Sequence, residues 1–252
     1  MSPLLIAFVL SIMVATAFLS GIFGMAGGMI LIGVLLAIMP LPQAMVLHAV
    51  TQMASNGWRA FLWWRYIRWQ PALAYVCGCI VVLSLWSLIR IVPEKPIALL
   101  LLGVTPFLAR LSPSSFKPNP ESKLQCAAYG VICQTLLLMT GVSGPLLDTF
   151  FLGGGRMDRR EIVATKATCQ VFGHAAKLLY FGGIVEQAGL LDPVVAGLAI
   201  LASAIGTTLS TRVLHAMSDG QYRLWANRIV TTIALYYVGH GSYLLIAPRL
   251  MA

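Results

Sequence analysis

Ser20-Gly21-Ile22-Phe23-Gly24 returns as Thr140-Gly141-Val142-Ser143-Gly144, 120 residues later. A second correspondence follows each motif: Gln52, Asn56 and Arg59 match Gln170, His174 and Lys177 at an offset of 118. Each trio falls inside a strongly apolar segment. Asn56 to Arg59 and His174 to Lys177 are i, i+3 steps, so on a helix the polar and cationic groups share one face. Two matching helices that each place a cation at membrane depth predict a site for an anion between two repeats.

Composition sets the class. Of the 252 residues 59% are hydrophobic and 10% charged, with a mean hydropathy of +0.85. That excludes a soluble globular domain and predicts an all-α, polytopic integral membrane protein. Long apolar stretches, rather than alternating ten-residue segments, favour helices over a β-barrel. In such a chain the net charge of +9 belongs to cytoplasmic loops and gives no reason to expect nucleic acid. Residues 3–19 lack the charged n-region of a signal peptide and read as mature structure. Cys77, Cys79, Cys126, Cys133 and Cys169 lie in apolar segments without a metal-ligand spacing and read as small core residues. No metal or cofactor is expected.

The apolar stretches run over 3–20, 29–39, 43–64, 71–91, 96–110, 124–140, 145–153, 161–182, 193–214 and 224–247. Two of them, 29–39 and 145–153, are too short to cross a bilayer as helices. Each follows a glycine cluster: Gly21, Gly24, Gly27 and Gly28 in one, Gly141, Gly144 and Pro145 in the other. The reading is a broken or re-entrant helical hairpin in each half, an element tolerated at membrane depth where protein buries it or it lines a polar cavity. Basic clusters at Arg65 and Arg68, at Arg110, Lys117 and Lys123, at Arg156, Arg159 and Arg160, and around Arg212, His215 and Arg223 mark cytoplasmic loops. The loop 183–192, with Glu186 and Asp192, and the neutral loop at Met39–Gln43 are external. Walking the chain with these assignments gives one hairpin plus three crossings per half. Three is odd, so the halves have opposite topology: an N-terminal transmembrane repeat over 1–111, a cytoplasmic linker over 112–122 and an inverted C-terminal repeat over 123–252. Both termini are then periplasmic.

Arg59 and Lys177 are the candidates for attracting an anion, the first as a planar fork and the second as a point charge; snorkelling to the interface is the competing account. Gln52, Asn56, Gln170 and His174 can donate to an anion, or bond between helices. Gly21, Gly24, Gly27, Gly28, Gly141 and Gly144 offer close approach and free N–H groups at half-helix starts, or tight helix packing. Ser143 lies within the second motif. His174 is a candidate carrier for a coupling proton. Asp148, which stands where the first half has Gly28, is another, or else a counter-ion to Lys166 or Lys177. His48 and Lys166 occupy matching positions near helix starts, where contact with headgroups accounts for them. No catalytic residue emerges: GxSxG, HExxH and paired carboxylates are absent from the apolar segments.

The chain resembles the TauE/SafE family of sulfite and organosulfonate transporters, also called the toluene sulfonate uptake permease family. The match lies in Ser20–Gly28, Thr140–Gly144 and the following Ala164-Thr-Lys-Ala-Thr168, and in the paired placement of the two glycine motifs. The resemblance implies a bacterial inner-membrane carrier for sulfur-containing oxyanions or organic sulfonates, with Gly21, Gly24, Gly27, Gly28, Gly141 and Gly144 near the permeation path. Pro145-Leu-Leu-Asp148 departs from the glycine that the family often keeps there. The expected partners are a small anionic substrate, the lipid bilayer and H+ as coupling ion. Aromatic and small-residue faces permit a homodimer. A passive anion channel and a non-transporting scaffold subunit are the alternatives.

Overall fold

The computed structural model describes residues 3–111, 118–153, 157–185 and 192–250. Linker residues 112–117, Arg156 and Glu186 lie outside the described residues, as do the side chains of Arg159, His215 and Arg223. In chain order the helices are α1 (Pro3–Phe23), α2 (Met25–Ile38), α3 (Leu41–Leu62), α4 (Trp69–Ile89), α5 (Lys95–Arg110), α6 (Lys123–Thr140), α7 (Gly144–Gly153), α8 (Arg159–Leu179), α9 (Pro193–Ala216) and α10 (Asp219–Leu250), and no strand occurs among the described residues. A π-helical turn at Tyr180–Ile184 extends α8.

Local chemistry sets the boundaries. Pro42 stands in the first turn of α3, where its missing N–H costs nothing. Asp158 and Glu161 form a reciprocal capping box at the start of α8, and Asp192 caps α9 ahead of Pro193. At 14 and 10 residues, α2 and α7 extend about 21 and 15 Å, short of a hydrocarbon core of about 30 Å. A Cβ on Gly27 would lie 1.9 Å from the Thr16 carbonyl oxygen, so α2 folds back along α1 as a re-entrant hairpin.

The two hinges are not superimposable on the motif. Positive φ falls on Gly24 (69°) and Gly141 (85°), whereas the motif aligns Gly24 with Gly144. In the second half the Thr140 hydroxyl donates to the Val142 carbonyl at 2.8 Å and accepts its N–H at 3.2 Å. That clasp replaces helical bonds and stops α6 at Gly141 in a left-handed cap. Ser20, the counterpart of Thr140, makes no such clasp, and α1 runs on to Phe23.

The principal packings pair α1 with α9, α4 with α6, α3 with α8 and α5 with α10, and α3 with α9 alongside α4 with α8. Exchanging the first five helices for the last five maps this set of packings between the halves onto itself, whereas within the halves α1 packs closely on α2 and α6 only slightly on α7. Glycine permits the close approaches. Gly78 on α4 and Gly130 on α6 each abut the other helix's backbone, Gly206 on α9 abuts α1, and Gly103 and Gly241 join α5 to α10.

Side chains are distributed as lipid demands. Among the described residues α1, α4, α9 and α10 contain spans long and apolar enough to cross a membrane. Their outer faces show Ile80, Leu85, Leu88, Leu201, Ile205 and Leu235, while Thr51, Gln52, Ser55, Asn56 and Thr165 are buried. The chain is a polytopic helical membrane protein. Arg68 and Arg160 meet at one end, where Arg68 pairs with Glu161 at 3.1 Å and Arg160 donates to Tyr66 Oη at 2.9 Å. At the other end Tyr180 Oη donates to the Ile91 carbonyl at 2.7 Å. All five cysteines are free, and Cys77, expected in the core, is exposed on α4.

A side chain at Gly78 cannot enter without separating α4 from α6, since its Cβ would meet the Ala127 carbonyl at 2.1 Å. Gly78→Leu should destabilise the protein by about 1–3 kcal/mol or more, lowering the unfolding temperature in detergent. Gly197→Ala, at a position with nothing within 4 Å, should leave it unchanged or raise it.

Candidate functional site between the two halves

The Arg68–Glu161 pair joins the N-cap of α4, a short connection past the end of α3, to the start of α8, and His48, near the start of α3, meets Lys177 in the last turn of α8. The two helices therefore run antiparallel. Residues 48, 52, 56 and 59 on α3 and 166, 170, 174 and 177 on α8 share the spacing i, i+4, i+8, i+11, which keeps each set on one helix face.

A small cavity lies between these faces and the two hinges. Ser20, Gly24, Met25, Gly28, His48, Gln52 and Asn56 line it from the first half, and Val142, Ser143, Gly144, Gln170 and His174 from the second. Space for the centre of a water is only about 10 Å³, close to the least that admits one molecule. None of these lining residues bears a carboxylate. On two of the lining residues, each only 3% exposed, a buried polar atom has no hydrogen-bond partner: Ser20 Oγ and His174 Nδ1. Buried polar atoms are ordinarily paired, so each is open to a ligand. The half-helices add to this. Gly24, at the N-cap of α2, has no side-chain cap, and α7 begins at Gly144. Both starts therefore present the positive end of a helix dipole to the cavity.

The cations sit just outside. Lys177 is 0% exposed; its Nζ donates to the Gly141 carbonyl at 3.1 Å and meets His48 Nδ1 at 2.7 Å. His48 Nε2 lies 3.0 Å from the Gly28 carbonyl. A carbonyl only accepts, so Nε2 carries the proton and Nδ1 accepts from Lys177. One polar chain thus ties the second hinge to the first hairpin. Arg59 repeats the role of Lys177 in its own half, donating to the Ser20 carbonyl at 3.1 Å. Each cation therefore holds a carbonyl at the C-terminal end of its repeat's first helix, where the dipole favours it. Lys166 pairs with Asp148.

Of the residues singled out in the sequence, Gly24, Gly28, Gln52, Asn56, Ser143, Gly144, Gln170 and His174 line the cavity. Arg59 and Lys177 border it through backbone carbonyls. Gly21 instead abuts Ser210, Gly27 abuts α1, and Gly141 abuts Ile32 and Met45. His48 does not face headgroups: it is fully buried because α2 returns over it. Asp148 takes Lys166 rather than Lys177 as its partner. Sequence reasoning missed Ser20, Met25, His48 and Val142 as lining residues. The match of His48 to Lys166 was the one signal that pointed inward.

A family model described as Sulfite exporter TauE/SafE matches residues 8–237, nearly the whole chain. The chain belongs to the TauE/SafE family. No curated protein and no solved structure matches it. TauE/SafE is a family of membrane transporters for sulfite and related anions, and the polar cavity between the two halves of this member has the character such a task needs.

Lys177→Met removes the only donor to His48 Nδ1 among the described contacts and one donor to Gly141. It should cost about 1–3 kcal/mol, seen as a lower unfolding temperature in detergent. Arg110→Met, which loses exposed bonds to Asn227 and Thr231, should cost less than about 1 kcal/mol.

Proposed function

We propose that this TauE/SafE member is a secondary transporter for a small sulfur-containing anion, sulfite or an organosulfonate such as sulfoacetate or a taurine derivative, working by alternating access in the bacterial inner membrane. The observation that carries the reading is the cavity between the halves, which has polar side chains from both, no lining carboxylate, two half-helix starts aimed inward and two unpartnered buried polar atoms. An anion there would take hydrogen bonds from Ser20, Gln52, Asn56, Ser143, Gln170 and His174. Its charge would meet the helix dipoles and the nearby Lys177.

The cavity has room for about one water, which supports a closed state that must open to load and release. His174 is the favoured carrier for a coupling proton because it lines the cavity and its buried Nδ1 has no hydrogen-bond partner; Asp148 is already paired with Lys166. Cations gather at the end holding Arg65, Arg68 and Arg160, which supports placing that end in the cytoplasm.

The test is uptake of radiolabelled sulfite, taurine and sulfoacetate by proteoliposomes under an imposed pH gradient. Saturable, gradient-driven flux of one anion is expected. Gln170→Ala and His174→Ala should each weaken it about 10- to 100-fold, the effect of losing one hydrogen bond to a charged group. Flux that does not saturate and follows voltage alone would instead identify a channel. Absence of flux would favour a scaffold subunit.

A further inference from the structure

An open groove of about 730 Å³ lies on the surface where α5 meets α10. It shares no lining residue with the cavity between the halves. Arg110 closes α5. Trp225, Asn227, Arg228 and Thr231 stand near the start of α10, whose apolar span begins at Leu224. The groove therefore lies where the chain enters hydrocarbon, at the level of the lipid headgroups.

Its lining has the chemistry of an anion site. The described lining residues include two guanidinium groups and no carboxylate. Arg110 Nη2 donates to Asn227 Oδ1 and to Thr231 Oγ1, each at 3.0 Å. Those bonds take both protons of that nitrogen and fix the guanidinium plane, while Nε and Nη1 keep their protons free of any bond among the described contacts. Arg228 makes no hydrogen bond or ion pair among the described contacts. Its guanidinium lies 5.7 Å from the centre of the Trp225 ring, within range of a cation–π contact. Neither arginine has an acidic partner, and basic pockets between membrane helices at this level are suited to negative headgroups.

The flanks of the groove are apolar. Leu224 and Trp225 are about half exposed, and Leu111, next to Arg110, is mostly exposed. A soluble anion would use the arginines and leave these side chains uncovered. A phospholipid engages both: its phosphate takes the guanidinium protons, and its acyl chains cover the leucines and the indole, a ring that favours this interface.

We propose that the groove between α5 and α10 is a binding site for an anionic phospholipid, with Arg110 and Arg228 on its phosphate and Trp225 against its glycerol and upper acyl chains. Because α5 belongs to the first half and α10 to the second, the lipid touches both. The site is separate from the cavity, and the inference holds whichever anion is transported.

The test is native mass spectrometry of the detergent-purified protein, titrated with phosphatidylglycerol or with phosphatidylcholine of the same chains. The first phosphatidylglycerol should bind about tenfold more tightly than phosphatidylcholine. Arg110→Gln and Arg228→Gln should each weaken phosphatidylglycerol binding by about tenfold, the effect of losing a hydrogen bond to a charged group, and leave phosphatidylcholine unchanged. Arg65→Gln removes an exposed cation outside the groove and should change binding less than about twofold. Two groove variants, read on monodisperse protein, guard against one that fails to fold. Equal binding of the two lipids would overturn the proposal, since no headgroup is then recognised. Equal losses in all three variants would overturn it in favour of a general belt of positive charge. Displacement of phosphatidylglycerol by inorganic phosphate alone would overturn it in favour of a soluble anion.

Discussion

A fully buried ammonium constrains this structure more than any other single group. Removing a charge from water costs several kcal/mol unless its protons are taken up by well-placed acceptors. Lys177 therefore requires the Gly141 carbonyl and His48 Nδ1, both within 3.1 Å. The requirement spreads outward. The Gly141 carbonyl is available because α6 stops there in a left-handed cap. His48 can accept at Nδ1 because its other nitrogen donates to Gly28, which is in reach because α2 folds back at Gly24. The hinge of one half, the hairpin of the other and the register of α3 against α8 are thereby fixed together.

Around this chain the two halves are alike in backbone and unlike in charge. Helix packings exchange under the two-fold relation, and in each half a cation holds the end of the first short-hairpin helix. The differences are local: Thr140 clasps Val142 where Ser20 leaves its hydroxyl open, and Asp148 stands for Gly28. Because the cavity sits where the halves meet, each difference appears at its wall. Symmetry builds the enclosure, and the departures from symmetry make its two ends unequal.

Much of the fold was legible in the sequence because membrane helices announce themselves by apolar length and are punctuated by glycine, proline and basic loops. The ten apolar stretches correspond to the ten described helices; of the two short ones, α2 folds back along α1, while α7 packs on α5 and α8 more than on α6. The site was legible in part. Gln52, Asn56, Gln170 and His174 were visible because helical spacing recurred in both halves. His48 was not, since its depth depends on α2 returning over it, a tertiary fact with no local trace. Ser20 belongs to the first motif, yet no local signal marks its open hydroxyl, because serine within a helix usually bonds the carbonyl four residues back. The shift of the second hinge to Gly141 depends on the Thr140 clasp, and the choice of Lys166 over Lys177 as partner for Asp148 depends on how α7 meets α8.

What these contacts have in common is a polar enclosure without a lining carboxylate, inside an apolar molecule, with room for about one water. The central claim is that the anion binds there, between the halves. The most direct measurement is a structure with selenite, a heavier analogue of sulfite, located by its anomalous signal. The account predicts a single strong peak among Ser20, Gln52, Asn56, Gln170 and His174. A peak confined to the exposed arginines at the bundle ends, with the cavity unoccupied under conditions that support transport, would contradict it.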